Sequence, residues 1–304
     1  MFNVTTDRTN KDIPEGMSKQ EARQYYLDMY GEATESMLPD PRTLVEPYED
    51  KFIIRFDKSP AGFKAFAAEK LIKECPKDTL VYVAPRVGHA PQAIAELAKR
   101  YNKKCVFFVP ASKQVSKHQA VLKAYNADLR FIKTAAMPMI NGYAKKWAEQ
   151  NNAQYLTFGL SGMPPVTAGI VKVASMLPEP PEFWCAVSTA TMIRGLQIGW
   201  PNAKAYGVAV ARNIHKGEIG DAIVETATVP FLKPVKDTDL PIFPTTATYD
   251  AKAFVKFRDH AKPGAYFINV GADSEIEKYY SRVNVQEIDS QREWNDLRDL
   301  ERGL

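Results

Sequence analysis

Apolar positions in this chain come in short continuous runs separated by stretches of helical spacing. Phe52-Ile53-Ile54-Arg55-Phe56 has the length of a strand, and Ser59-Pro60-Ala61-Gly62 then breaks it ahead of a helix over about 64–73. From about residue 75 the alternation repeats. Residues 80–84, 105–109 and 129–132 read as strands, 91–101, 115–125 and 139–151 as helices, and 155–158 as extended. A second run follows: a helix at 167–177, a Pro-rich connector at 178–181, a strand at 183–187, a helix at 192–200 and a strand at 205–210. A proline-rich irregular section (230–244), a helix (250–260) and a last strand (265–270) precede a charged tail that reads as a surface helix. Short strands alternating with helices of about ten residues predict an α/β fold of βαβ units, with right-handed crossovers and mostly parallel sheets. Loops beyond the strand C-termini are then the places to look for a ligand.

Residues 1–50 do not share this rhythm. They are polar, with Ser18 placed to cap the helical run Lys19-Gln20-Glu21-Ala22-Arg23-Gln24-Tyr25-Tyr26, and they read as an N-terminal arm or partial lid. Composition adds bounds rather than identity. With 304 residues, 45% hydrophobic and 25% charged, the chain is an ordinary globular one, large enough for two lobes or one large unit. Its 40 basic and 36 acidic residues give a net charge of +4 and are well mixed, so nucleic acid is not indicated as a partner. The polar N-terminus and the lack of a run of membrane-span length predict a protein with no membrane association. Cys75, Cys105 and Cys185 stand at no ligand spacing, which predicts reduced, buried thiols in a cytoplasmic protein and no metal site.

Three strand-end loops hold candidate chemistry. Lys64 falls in the first turn of a helix, where the dipole disfavours a cation. It is either a solvated surface charge or a pocket lysine whose lowered pKa suits it to Schiff-base formation. Ser188-Thr189-Ala190-Thr191 follows a strand and opens a helix, serving either as an N-cap or as a cradle for a phosphate monoester. Ala84-Pro85-Arg86-Val87-Gly88-His89-Ala90 also joins a strand to a helix; Gly88 permits a close approach, and Arg86 and His89 can meet an anion or a ring. His118, His215 and His260 form no metal or triad pattern, and Gly-x-Ser-x-Gly, Gly-x-Gly-x-x-Gly and the P-loop are absent.

The order of these loops resembles the tryptophan synthase β-like, or fold type II, family of pyridoxal-phosphate enzymes. Within it, the D-cysteine desulfhydrase, aminocyclopropane-carboxylate deaminase and cysteine synthase branches are the most similar. Gly62-Phe63-Lys64 is similar to the family's Gly-Ser-Phe-Lys motif with one residue fewer, and Arg86-Val87-Gly88-His89-Ala90 to its Ser-Gly-Asn-His-Ala loop. Lys104-Cys105-Val106-Phe107-Phe108-Val109-Pro110 looks like the strand that follows. Residues 117–132, with Tyr125-Asn126-Ala127, resemble the next helix and strand, and Phe158-Gly159-Leu160-Ser161 with Ala168-Gly169-Ile170 the substrate-loop region. The resemblance spans roughly residues 50–275.

It implies a two-lobed fold with helices on both faces of the sheets: 1–50 as the arm, 75–158 as a smaller lobe, and 51–74 plus 159–304 as a larger lobe. It further implies pyridoxal 5'-phosphate held by Lys64 as a Schiff base, with Ser188, Thr189, Ala190, Thr191, Gly88 and Asn269 as cofactor-binding residues. Arg86, His89 and Ser161 would face a small amino-acid substrate, undergoing elimination, deamination or β-replacement, and a homodimer is the family habit. Three positions depart from the pattern: Gly88 replaces the asparagine of the second loop, no glycine lies between Val187 and Thr191, and Val270, with Asn269 beside it, falls where a polar residue meets the pyridine nitrogen. These departures keep two other readings open: a catalytically silent relative acting as a binding or regulatory module, and an α/β transferase for a phosphorylated metabolite.

Overall fold

In the computed structural model, which describes residues 10–32, 36–133, 136–212, 214 and 218–296, the apolar runs form strands and the amphipathic stretches form helices. The first half comprises α1 (Lys19–Tyr30), β1 (Val45–Tyr48), β2 (Lys51–Arg55), α2 (Phe63–Glu74), β3 (Thr79–Val83), α3 (Ala90–Arg100), β4 (Lys104–Pro110), α4 (Lys117–Ala120), β5 (Asp128–Ile132), α5 (Met137–Gln150) and β6 (Gln154–Tyr155). The second comprises α6 (Pro164–Ser175), β7 (Glu182–Val187), α7 (Thr191–Gly199), β8 (Lys204–Ala209), β9 (Ile223–Thr226), α8 (Asp250–His260), β10 (Tyr266–Asn269), α9 (Asp273–Tyr280), α10 (Val285–Ser290) and β11 (Trp294–Asn295). Contacts divide the chain into two units, Met1–Lys70 with Ser161–Asp273, and Leu71–Leu160 with Ser274–Leu304.

The first unit is built on a six-stranded sheet, β1-β2-β10-β7-β8-β9, in which β1 runs antiparallel to β2 and every other pair is parallel. Its central strands β10 and β7 are buried on both faces, as parallel sheets require. Trp184, Ala186, Val208 and Phe267 pack with Phe254 and Phe257 of α8, while Phe183, pointing the other way from β7, meets Trp200 at the end of α7. Ala22 and Tyr26 of α1 pack with Ala168 and Val171 of α6 and Ile198 of α7. Ser18 and Glu21 close a capping box on α1. The described part of residues 1–50 is thus packed into this unit.

The second unit has a fully parallel five-stranded sheet, β11-β5-β4-β3-β6. Val81, Val83, Val106, Phe108 and Ile132 from its strands pack with Ile140, Ala144 and Ala148 of α5. Because β11 pairs with β5, the described C-terminal residues that the sequence grouped with the larger lobe belong to this sheet instead.

Local chemistry explains where elements differ from the periodicity. The helix predicted at 115–125 is a single α-turn followed by a 3-10 segment, because Ser116 caps it late and Asn126, in the left-handed region, stops it. The extended stretch predicted at 155–158 is cut short after Tyr155 by a turn at 158–160, in which Gly159 and Leu160 are left-handed. Among the described residues three edge strands escaped the pattern: β1 contains Pro47, which an edge tolerates, β9 is short and half exposed, and β11 is only two residues long. Cys75, Cys105 and Cys185 are buried thiols outside any disulfide. Among the described residues no helix is long and apolar enough to cross a membrane.

Candidate active site

Lys64 is placed by a turn that only a particular backbone can make. After β2, Ser59-Pro60-Ala61-Gly62 reverses the chain with Ala61 and Gly62 both left-handed, at φ 62° and 68°. A Cβ on Gly62 would lie 2.2 Å from the carbonyl oxygen of Val270, and the Phe63 N–H donates to that same oxygen at 3.0 Å. The first turn of α2 is therefore fixed to the end of β10, and Lys64 stands on it. Its position along α2 is held from behind as well, since a Cβ on Gly169 of α6 would come within 2.4 Å of the Ala67 carbonyl oxygen. Lys64 is partly buried. Loss of water around its amine, and then the neighbouring Arg194 guanidinium, pull its pKa down from the usual lysine value to about 8, against the opposing Asp12 carboxylate.

The hydroxyl-rich loop lies in the same unit. Ala190, the residue before α7, is left-handed at φ 58° and ψ 6°, so the loop takes a glycine-type backbone without a glycine. The Thr189 and Thr191 hydroxyls are 3.2 Å apart at the helix start. Backbone N–H groups at such a terminus suit an anion.

Arg194 ties these parts together. It is fully buried on α7, where Nε donates to Asp12 Oδ2 at 2.8 Å, Nη1 to the carbonyls of Thr189 (3.3 Å) and Glu218 (2.6 Å), and Nη2 to Ser161 Oγ at 3.0 Å. Asn10 donates to the Arg194 carbonyl at 2.9 Å. Ser161, expected to face a substrate, is here a partner of this guanidinium. Neither Arg194 nor Asp12 was singled out from the sequence. The signal was present, because Arg194 is the only charge in the apolar stretch 191–200 and a buried charge must be paired.

At the end of β10, Asn269 is fully buried and its amide is committed within the protein. Nδ2 donates to Asp57 Oδ1 at 2.7 Å and to the Pro244 carbonyl at 2.8 Å, and Oδ1 accepts from Thr245 at 2.8 Å. Asp57 is in turn held by a bidentate Arg55, at 2.8 and 2.7 Å. Beside this network Asp250, the first residue of α8, is fully buried with neither carboxyl oxygen hydrogen-bonded. Burial, followed by the Asp273 carboxylate, holds its pKa well above the usual carboxylate range, with Asp57 adding to the effect. The Val270 and Gly271 amides oppose it without reaching hydrogen-bond geometry. From the sequence alone Asp250 is an ordinary acid at a helix start.

The Arg86–His89 turn belongs to the second unit. Gly88 has φ 149°, and its carbonyl lies 3.2 Å from His118 Nδ1. His118 meets the His89 ring edge-on, and burial together with His118 lowers the pKa of His89 to about 3. Arg86 is exposed and donates to the Gln114 carbonyl at 3.3 Å. His215 lies outside the described residues.

No family model matches the chain, and no curated protein matches it. Solved structures do. A threonine deaminase from Solanum lycopersicum is 16% identical with a TM-score of 0.60, over 92% of this chain and 98% of that one. An ACC deaminase homologue is 14% identical with a TM-score of 0.60, over 76% and 88%, and a pyridoxal 5'-phosphate-dependent aspartate racemase is 15% identical with a TM-score of 0.58, over 92% and 98%. The chain thus has the fold of the tryptophan synthase β-like, fold type II pyridoxal-phosphate enzymes.

Proposed function

We propose that the protein is a pyridoxal-phosphate-dependent enzyme that acts on a small amino acid by elimination, deamination or β-replacement. The observation that carries this reading is Lys64: a lysine whose amine is half neutral near pH 8, in the same unit as a phosphate-type loop that keeps a glycine-like backbone at Ala190. The residues present suit the cofactor. Lys64 supplies an amine for its aldehyde, residues 188–191 supply amide and hydroxyl donors for its phosphate, and Asp250 is a buried acid left unsatisfied by the protein itself. When bound, the cofactor withdraws electrons from the bonds at the substrate Cα. Lys64 Nζ takes up and returns the proton at that carbon. Burial, and then Arg194, keeps the amine from holding its proton tightly, and Arg194 fixes the loop through the Thr189 carbonyl. Protein mixed with pyridoxal phosphate is expected to show a visible absorbance band that Lys64→Ala abolishes; wild-type protein that stays colourless contradicts the reading.

One observation favours the silent binding module instead: the Asn269 side chain is fully engaged inside the protein. Turnover of cysteine, serine or a cyclic amino acid by the cofactor-loaded protein decides against that module.

A further inference from the structure

Among the described residues, the buried side-chain polar atoms without a hydrogen-bond partner are Ser59 Oγ, Gln92 Oε1 and both carboxyl oxygens of Asp250. An unsatisfied hydroxyl or amide oxygen is a modest cost, whereas a fully buried carboxyl with no hydrogen bond of good geometry is a large one. Folding gains nothing visible from Asp250. Its position has a different meaning. The Val270–Gly271 segment after β10 presents its amides toward Asp250, and the Val270 carbonyl accepts the Phe63 N–H next to Lys64. Asp250 and the helix start that bears Lys64 thus meet the same segment.

The titratable groups that act on Asp250 are Asp273 on α9, Asp57 after β2, Cys185 on β7 and Tyr249 before α8. Asp57 is paired with Arg55 yet still pushes the Asp250 pKa up, and none of the four is a cation. This setting disfavours the charged carboxylate, and neither carboxyl oxygen has a hydrogen-bond partner in the protein. A ring whose aldehyde meets Lys64 and whose phosphate meets residues 188–191 has its heterocyclic nitrogen as the remaining basic edge.

We propose that Asp250 binds the ring nitrogen of the pyridoxal cofactor, replacing Asn269, whose amide is already committed. This inference rests on the cofactor reading above. The proton moves from the Asp250 carboxyl to the nitrogen, leaving a carboxylate and a pyridinium with no net change in charge. The N-terminus of the eleven-residue α8 favours the carboxylate so formed.

The test loads the protein with pyridoxal phosphate carrying a nitrogen-15 label in the ring and compares wild type, Asp250→Asn, Asp250→Ser and Lys64→Ala by NMR, with circular dichroism as the folding control. Wild type and Lys64→Ala are expected to show the ring nitrogen protonated at neutral pH, and the folded Asp250 variants to return it to the unprotonated position. A second measurement uses wild type itself: an analogue with C–H in place of the ring nitrogen is expected to bind roughly 10-fold more weakly or worse, the loss of one charge-assisted hydrogen bond. A ring nitrogen unchanged in the Asp250 variants, or equal wild-type affinity for both cofactors, overturns the assignment while leaving the Lys64 reading intact. Bound, protonated cofactor without a visible band in wild type overturns the Lys64 reading instead, and no bound cofactor in any protein overturns both.

Discussion

Gly62 and Lys64 show how little separates a surface lysine from a chemical one. The left-handed backbone at Gly62 and the Val270 carbonyl oxygen, 2.2 Å from where a Cβ would stand, leave no room for a side chain. Gly62→Ala is expected to cost at least about 2 kcal/mol, from the strained φ and the clash together, and to lower cofactor occupancy; urea denaturation and cofactor titration measure the two effects. The charge on Lys64 has a definite pH signature. With a folded pKa near 8 against 10.5 in the unfolded chain, its cost to stability is full below about pH 8 and is relieved as the pH rises toward 10.5, where the unfolded state holds more protons. Reaction of Lys64 with an aldehyde is accordingly expected to accelerate through about pH 8. Asp12→Asn should move that midpoint lower by removing the opposing carboxylate, and should destabilise the fold by about 3 kcal/mol or more by leaving the buried Arg194 without its counter-charge. A pH series of single-site modification rates, beside denaturation curves, tests both directions.

The elements carrying these residues differ in how openly the sequence announces them. Strands β2, β4, β7 and β10 and helices α2, α3, α6 and α8 follow from apolar periodicity, since each has a continuous run or a helical stripe that needs burial. β1 and β9 do not, being short edges whose pairing depends on a neighbour already in place. The loop before α7 is the instructive case. Its sequence lacks glycine, yet Ala190 adopts the conformation that a glycine would take. An alanine there carries a cost of about 1–2 kcal/mol, partly offset by the lower chain entropy lost on folding. Ala190→Gly is therefore expected to leave stability unchanged or raise it by up to about 1 kcal/mol while retaining phosphate affinity, as thermal unfolding and competition by inorganic phosphate would show. Loss of phosphate affinity in this variant would mean that the alanine itself, and not only the left-handed backbone, is needed to hold the anion.

Across the whole molecule, the order of loops was legible because it depends only on which residues end each strand: Lys64, the Gly88 turn and residues 188–191 all fall beyond strand C-termini. What joins the site was not legible, because it is made by residues distant in sequence. Arg194 meets Asp12 across 182 positions and Asn269 meets Asp57 across 212, and neither pair leaves a local pattern. The assignment of the C-terminal residues to the second unit was hidden for the same reason, since β11 is a two-residue strand identified only by its pairing with β5. The central claim is that Lys64 is the residue that reacts with the cofactor aldehyde. Reduction of the protein–pyridoxal phosphate mixture with borohydride, followed by peptide mass spectrometry, tests it most directly. A single phosphopyridoxyl group on the peptide containing Lys64 is the expected result; a label scattered over surface lysines, or absent from Lys64, would contradict the account.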